Sequence, residues 1–366
     1  MTTLHGTELK FLHGAIQRKR ISDSLGLSFM ELARIFPEDS TQEQRHQSLA
    51  RLPDWRELDE EDLQVILGTR WTQWTHSNLW IDRIRSYASA SAKVSVISEH
   101  DLALAHQLLG IPESKIQIIP NGVDTETFQP SLISDDERYR ILHKWLVEDP
   151  QGWRPGRPPG SICYETSDIR RIFNGHSQGK RPILLWMGRF LGFKRLDILL
   201  RSIAELRRES DANPVVVVLG GFPGEWEGPH PYTLVESLGI ADDVYFAGWR
   251  GHEELIDALH CSDLLAAPSV DEPFGLIYLE AMAAGIPVVA TASGGPLGYV
   301  KTCGESANGW LASPGDQRDL TRILLDAIAK PQELARRGRN AREFVERSYS
   351  WRSIADQYMG FYGSAL

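Results

Sequence analysis

The sequence predicts an α/β protein whose larger part, from Pro182 onward, is a doubly wound parallel sheet. Three observations carry this reading. Short apolar runs at 183–187, 215–219, 244–246, 263–267 and 287–290 alternate with stretches of helical periodicity. Apart from Asp263 at the start of one, the runs are apolar throughout instead of alternating, as strands covered on both faces are. Each is strand-sized, and strands alternating with helices indicate a parallel sheet with helical layers on either side. In order, the strand 183–187 leads to a helix with Leu196, Leu199, Leu200, Ile203 and Leu206 at helical spacing. The β-branched run 215–219 precedes a helix near 233–238, and the strand 244–246 precedes a helix over 253–260. The strand 263–267 feeds a helix over 275–284, then a strand at 287–290; the stretch 319–366 reads as successive amphipathic helices.

The first part reads differently. A short strand at 2–5 opens a long, charged, helical region that runs through Tyr87. Strands at 93–97 and 116–119 follow, with a helix around 101–109 between them. Residues 130–181 hold Pro150, Pro155, Pro158, Pro159 and several glycines, so the centre of that stretch is no regular element. The expected organisation is a first domain over 1–133, a linker or insertion over 134–181, and a second domain over 182–351. The closing helix, 352–366, is expected to pack back on the first domain.

Composition narrows the function classes. At 366 residues, with 42% hydrophobic and 24% charged residues, the chain suits two soluble domains. No apolar run reaches the ~18 residues of a membrane span, and the opening residues lack a signal-peptide pattern. Cys163, Cys261 and Cys303 are too few and too scattered for a disulfide framework or a zinc site, which fits a reducing, cytoplasmic setting. A net charge of −10 argues against nucleic acid as partner. Basic clusters at Arg18-Lys19-Arg20 and between Arg336 and Arg342 are read as solvated helix faces, with a patch for anionic lipid headgroups at the inner membrane face as the alternative.

Two stretches hold residues that could carry chemistry. Asp271-Glu272-Pro273-Phe274-Gly275-Leu276 leaves the carboxyl end of a strand and enters a helix, where open α/β sheets bind ligands. The amides of Phe274, Gly275 and Leu276 stand at a helix N-terminus, suited to an anion. Glu272 precedes the helix and Glu280 lies inside it, so the two carboxylates reach different parts of one ligand; alone, each is also an ordinary helix-dipole or surface acid. In Gly188-Arg189-Phe190-Leu191-Gly192-Phe193-Lys194, again at a strand end, two cations on one loop can both reach a diphosphate. As a bare pattern it is equally a solvated basic loop.

The stretch from Pro268 to Pro287 resembles the E-x7-E signature of glycosyltransferase family 4, retaining enzymes with the GT-B fold of two facing Rossmann-like domains. The resemblance implies that Glu272 contacts the donor sugar, Glu280 the nucleotide ribose, and the amides of Phe274, Gly275 and Leu276 the sugar and diphosphate. Arg189 and Lys194 resemble the family's G-R-x4-K element, whose cations neutralise the diphosphate leaving group; with no Asp-x-Asp clamp in the chain, a metal-independent transfer without a cofactor is expected. Ile119-Pro120-Asn121-Gly122-Val123-Asp124 and Ser98-Glu99 resemble further family elements. Trp249 resembles the border of the nucleotide base, though a buried strand-end aromatic reads as well there. Leu4-His5-Gly6-Thr7 resembles the turn that sets a histidine, here His5, against the reacting sugar.

Two departures accompany the match. Gly294-Gly295-Pro296-Leu297-Gly298 lacks the acid of the family's G-G-x-x-E loop. Met1 sits on what would be the fourth strand of a doubly wound order 3-2-1-4-5-6, so the N-terminal domain is expected to be incomplete, with strand 2–5 as a bare edge. The donor would then bind through the second domain, with weak transfer or none by the chain alone. The implied activity is transfer of a sugar, with retention, from a nucleoside-diphosphate sugar to an acceptor left open among sugars, lipid-linked and small molecules. The rivals are a catalytically inactive truncated homologue that binds nucleotide or a partner chain, and a phosphorylase-like enzyme, for which no cofactor-anchoring lysine speaks. Trp71, Trp74 and Trp80 are candidates to stack on an acceptor sugar, with core packing as the other reading.

Overall fold

A computed structural model describes residues 2–3, 6–53, 55–173, 181–210 and 213–364. The chain divides into two compact units: residues 1–119 together with 360–366, and residues 120–359.

In the first unit, β1 (Thr2–Thr3), β2 (Val94–Val96) and β3 (Ile116–Ile118) form a parallel sheet in the order β1-β2-β3. The region read as helical holds helices Gly6–Leu25, Phe29–Ile35, Gln42–Ser48, Glu60–Gly68 and Ser77–Ala90. Ser28 and Thr41 each close a capping box with the side chain three residues on, Glu31 and Gln44. Leu9, Leu12 and Ala15 of the first helix pack with Ile81 and Ala88 against Val94 and Val96 of β2. A second core gathers Ile21, Phe29, Leu32, Phe36, Ile66 and Trp71. Buried Arg45 ties this region together, donating to the carbonyls of Leu67 and Thr69 at 3.0 Å and of Pro37 at 3.1 Å. Trp71 is wholly buried beside Phe29, and Trp74 stacks on Phe11 with a 5.0 Å centroid separation while Arg18 also lies over its ring. Trp71 is therefore core, while Trp80 is exposed.

Among the described residues the second unit holds six parallel strands: β4 (Ile183–Gly188), β5 (Val215–Gly220), β6 (Val244–Gly248), β7 (Leu264–Ala266), β8 (Val288–Thr291) and β9 (Gly309–Ala312). Their order is β6-β5-β4-β7-β8-β9. Taken from β4, this is the doubly wound order 3-2-1-4-5-6, and the chain reverses its winding between β4 and β7, paired through Leu184↔Leu264 and Leu185↔Leu265. The strand β9 escaped the sequence reading because it starts on a glycine, a residue that interrupts a strand pattern. A Cβ at Gly309 would lie 2.8 Å from the Val288 carbonyl oxygen, so the pairing itself requires the glycine.

The stretch expected as a linker or insertion is packed into this unit. It carries helix Asp135–His143, extended by one wide turn through Glu148, and helix Thr166–Phe173, with an irregular proline-rich centre. Trp145, Leu146, Trp153, Ile162, Ile169 and Ile172 are all buried. Arg250 fastens it, with Nη1 donating to Asp149 at 2.6 Å and Nη2 to the Trp145 carbonyl at 2.9 Å. The charge run 336–342 is likewise engaged: Arg336 and Arg337 both pair with Glu333 at 2.7 Å, and Arg342 caps the carbonyls of Thr125, Phe128 and Ala283.

Helix Pro331–Ser348 contains Gly338, which costs ~1 kcal/mol against alanine in a helix interior. The reason is contact: a Cβ there would stand 2.2 Å from the Gly285 carbonyl oxygen. Gly338→Ala is therefore expected to destabilise by ~1–3 kcal/mol despite its better helix propensity. Urea unfolding checks this, and a stabilised variant would contradict the packing.

Candidate active site

The crevice at the reversal point is built by the loops that follow β4 and β7. In the first, Gly192–Lys194 makes a tight helical turn, and Arg195 takes a left-handed backbone (φ 48°) before helix Leu196–Glu209 begins. In the second, Asp271 is left-handed (φ 54°), its amide donating to the Ser293 hydroxyl at 3.0 Å while that hydroxyl donates back to its carboxylate at 2.6 Å. The two loops are laced together where the Val270 amide donates to the Phe193 carbonyl at 2.7 Å. Across this lacing, Lys194 Nζ and Glu272 Oε2 meet at 2.5 Å, both side chains largely buried.

Glycine sets the floor of the site. Gly275, at φ 82°, caps helix Leu276–Ala283, and a Cβ on it would strike the Tyr278 ring at 2.5 Å. Gly294, at φ 65°, passes so close to Glu272 that a Cβ would sit 2.2 Å from its carbonyl oxygen; one on Gly295 would meet the Phe274 backbone at 2.5 Å. The Gly295 amide donates to the Glu272 carbonyl at 2.8 Å. The Gly-Gly loop, which lacks the acid of the family's element, thus shapes the backbone beneath Glu272. Tyr278 and Tyr299 complete the support, donating to the carbonyls of Ala267 at 2.6 Å and Phe274 at 2.5 Å. Burial pushes both phenols well above their ordinary pKa, keeping them neutral donors.

The candidate residues occupy distinct places around this floor. Among the described residues, the amides of Phe274, Gly275 and Leu276 donate to no protein group, leaving three N–H groups at a helix start. The Phe274 ring is buried against Tyr299, so its backbone and not its side chain is available. Glu280 is buried within the helix; burial raises its pKa, with His252 opposing, and its carboxylate has no hydrogen-bond partner among the described residues. Arg189 is exposed, in a two-pronged pair with Glu225. Trp249 is 60% exposed, which excludes the buried strand-end reading. It follows edge strand β6, with β5 between it and β4. His5 lies outside the described residues. The sequence reading missed Glu225, Glu227, Ser293 and Tyr299; the aromatic and acidic loop after β5 was the signal for the first two, but it named no partner.

Known proteins resemble this chain in both sequence and fold. Residues 168–344 match the family described as "Glycosyl transferases group 1". The D-inositol 3-phosphate glycosyltransferase 2 of Catenulispora acidiphila is 29% identical over 342 residues, covering 84% of this chain and 78% of that protein. The D-inositol 3-phosphate glycosyltransferase of Gordonia bronchialis is 35% identical over 211 residues, 56% of this chain and 45% of that protein. The chain thus spans about half the length of several curated relatives it matches. Among solved structures, Anabaena HepE in complex with UDP-glucose superposes with a TM-score of 0.59 at 19% identity, over 80% of this chain and 69% of that one. Over residues 168–344 the chain resembles the group 1 glycosyltransferases, and its fold is GT-B.

Proposed function

We propose that this protein transfers a sugar, with retention at the anomeric carbon, from a nucleoside-diphosphate sugar to an acceptor hydroxyl, without a metal ion. The observation that carries the reading is the pairing of Lys194 with Glu272 across the reversal point, above a glycine floor and beside three unpaired amides. A nucleoside-diphosphate sugar offers what this crevice complements: a dianionic centre, a polyhydroxylated ring on one side and a ribose on the other. The family match supports the same donor class, and HepE is a neighbour crystallised with UDP-glucose.

In this reading Lys194 and Arg189 face the diphosphate. As the bond from the anomeric carbon to the phosphate oxygen breaks, negative charge grows on that oxygen, and fixed cations stabilise it most at that moment. The amides of Phe274, Gly275 and Leu276 donate to the sugar and phosphate oxygens. Glu272 accepts from sugar hydroxyls, and Glu280 accepts from the ribose. Trp249 borders the base. The lipid-facing reading of the first basic cluster gains little, because Lys19 pairs with Asp23, Arg20 with Asp62, and Arg18 with the Thr69 hydroxyl. No helix among the described residues is long and apolar enough to cross a membrane.

The two acids should separate experimentally. Glu272→Gln is expected to lower turnover by more than ~10-fold with nucleotide affinity nearly intact, the loss of one charged hydrogen bond of ~1.5–3 kcal/mol. Glu280→Ala should instead weaken nucleoside-diphosphate binding by ~1–3 kcal/mol, measured by calorimetry; equal effects on binding would undo the assignment. Ribose hydroxyls need the ionised Glu280 as acceptor, and its pKa is raised by burial. Affinity should therefore fall as pH drops through that raised value, earlier than for an ordinary glutamate, and Glu280→Gln should flatten the profile.

The cations give a further check. Arg189→Ala and Lys194→Ala are each expected to weaken diphosphate donors at least ~10-fold while leaving the bare nucleoside nearly unaffected. Transfer should persist in EDTA. Loss of transfer on chelation would place the leaving-group charge on a metal instead.

A further inference from the structure

Both cations of the proposed diphosphate site are engaged by carboxylates of the chain itself. Lys194 meets Glu272, an acid already placed in the donor site. Arg189 meets Glu225, which belongs to no recognised element, on the loop after β5. The geometry of that second pair is specific: Arg189 Nε donates to Glu225 Oε2 at 2.9 Å, and Nη2 donates to Oε1. Two parallel N–H bonds onto two oxygens of one anion is the arrangement a guanidinium makes with a phosphate.

The loop bearing Glu225 is held by the two residues that follow it and by the Glu225 amide, which donates to the Phe222 carbonyl at 2.9 Å, while the space at Gly224 is open. Trp226 is anchored in an aromatic cluster, 5.5 Å from the rings of both Trp153 and His230. Trp153 comes from the packed stretch before β4, and its indole N–H donates to the Gly221 carbonyl at 3.2 Å. Burial lowers His230 to a pKa of about 4, so the cluster holds no charge at neutral pH. The next residue, Glu227, clamps the Arg189 loop directly: its carboxylate accepts from the Gly192 amide at 2.6 Å and its own amide donates to the Phe190 carbonyl at 2.8 Å. On the other side of Glu225, Gly224 is left-handed (φ 87°) with open space around it. Glu225 can therefore swing into solvent while Trp226 and Glu227 hold the loop in place.

We propose that Glu225 is a resident stand-in for a donor phosphate, a positioning residue that keeps the Arg189 fork assembled before the donor arrives and yields it to the diphosphate. Resting on the donor-site reading above, this makes donor affinity a difference between two anions competing for one guanidinium. Removing the carboxylate therefore tightens diphosphate binding instead of loosening it.

The test is calorimetric titration with inorganic pyrophosphate and with UDP of the parent protein and of Glu225→Gln, Glu227→Gln, Arg189→Ala and Lys194→Ala. Glu227→Gln removes the same charge two residues away but keeps an acceptor for the Gly192 amide. Glu225→Gln is expected to bind both probes ~2- to 5-fold more tightly, the scale of an exposed ion pair. Glu227→Gln should show no comparable gain, and the melting temperatures of the two variants should stay near the parent's. Glu225→Ala, which lacks any acceptor, should match Glu225→Gln. Unchanged or weaker binding in Glu225→Gln, with binding still lost in Arg189→Ala, would overturn the stand-in and leave the donor site standing. An equal gain in Glu227→Gln would reduce the effect to net charge and overturn it as well. Indifference of both probes to Arg189→Ala and Lys194→Ala, or no binding by any form, would sink the donor-site reading and the stand-in with it.

Discussion

The ion pair between Lys194 and Glu272 is the contact on which the site depends. Two charges taken largely out of water cost several kcal/mol apiece unless the geometry that joins them is held firmly. Here the holding is done by backbone. Adjacent parallel strands stand about 4.8 Å apart, and β4 and β7 are neighbours only because the chain reverses its winding between them. The Val270 amide then fastens one strand-end loop to the carbonyl of Phe193 on the other. An acid and a base 78 residues apart in sequence are thereby left no room to avoid each other.

Under that pair the chain uses close backbone approach, and glycine is the consequence. Gly275, Gly294 and Gly295 each lie where a methyl group would overlap a neighbour's atoms at 2.5 Å or less. The phenols of Tyr278 and Tyr299, kept protonated by burial, occupy the carbonyls that such a tight floor would otherwise strand. The result is a set of amides at the start of helix Leu276–Ala283 held in place by the backbone contacts around them. Preorganised donors of this kind lose no free energy to rearrangement when charge develops in front of them.

The two cations differ in a way that follows from their surroundings. Lys194 is largely buried with its partner Glu272. Arg189 is exposed, on a loop steadied from outside the sheet by Trp226, Trp153 and the Glu227 clamp. The proline-rich stretch between the first strands and β4 therefore supports the site. Its Trp153 reaches the loop after β5, and its Asp149 and Trp145 carbonyl hold Arg250 just beyond the end of β6. A stretch without regular structure at its centre can still be rigid when its large side chains are buried.

Much of this was legible in the residues. Unbroken apolar runs announced five of the six strands of the second unit, because strands covered on both faces cannot alternate. The motif residues Glu272, Glu280, Arg189 and Lys194 stood out because residue type and spacing at strand ends are local properties. Other features depend on which distant segments meet, and no local pattern records that. The four residues of β9 became a strand by pairing with β8; Trp71 became core when Phe29 folded over it; Glu225 and Glu227 acquired partners when β5 came to lie beside β4. The sequence by itself determined the chemistry available to this protein and the layered sheet that carries it, since both follow from residue type and periodicity. Only the tertiary structure decided which charge faces which, because an ion pair is set by the distance between side chains, and that distance belongs to the strand order.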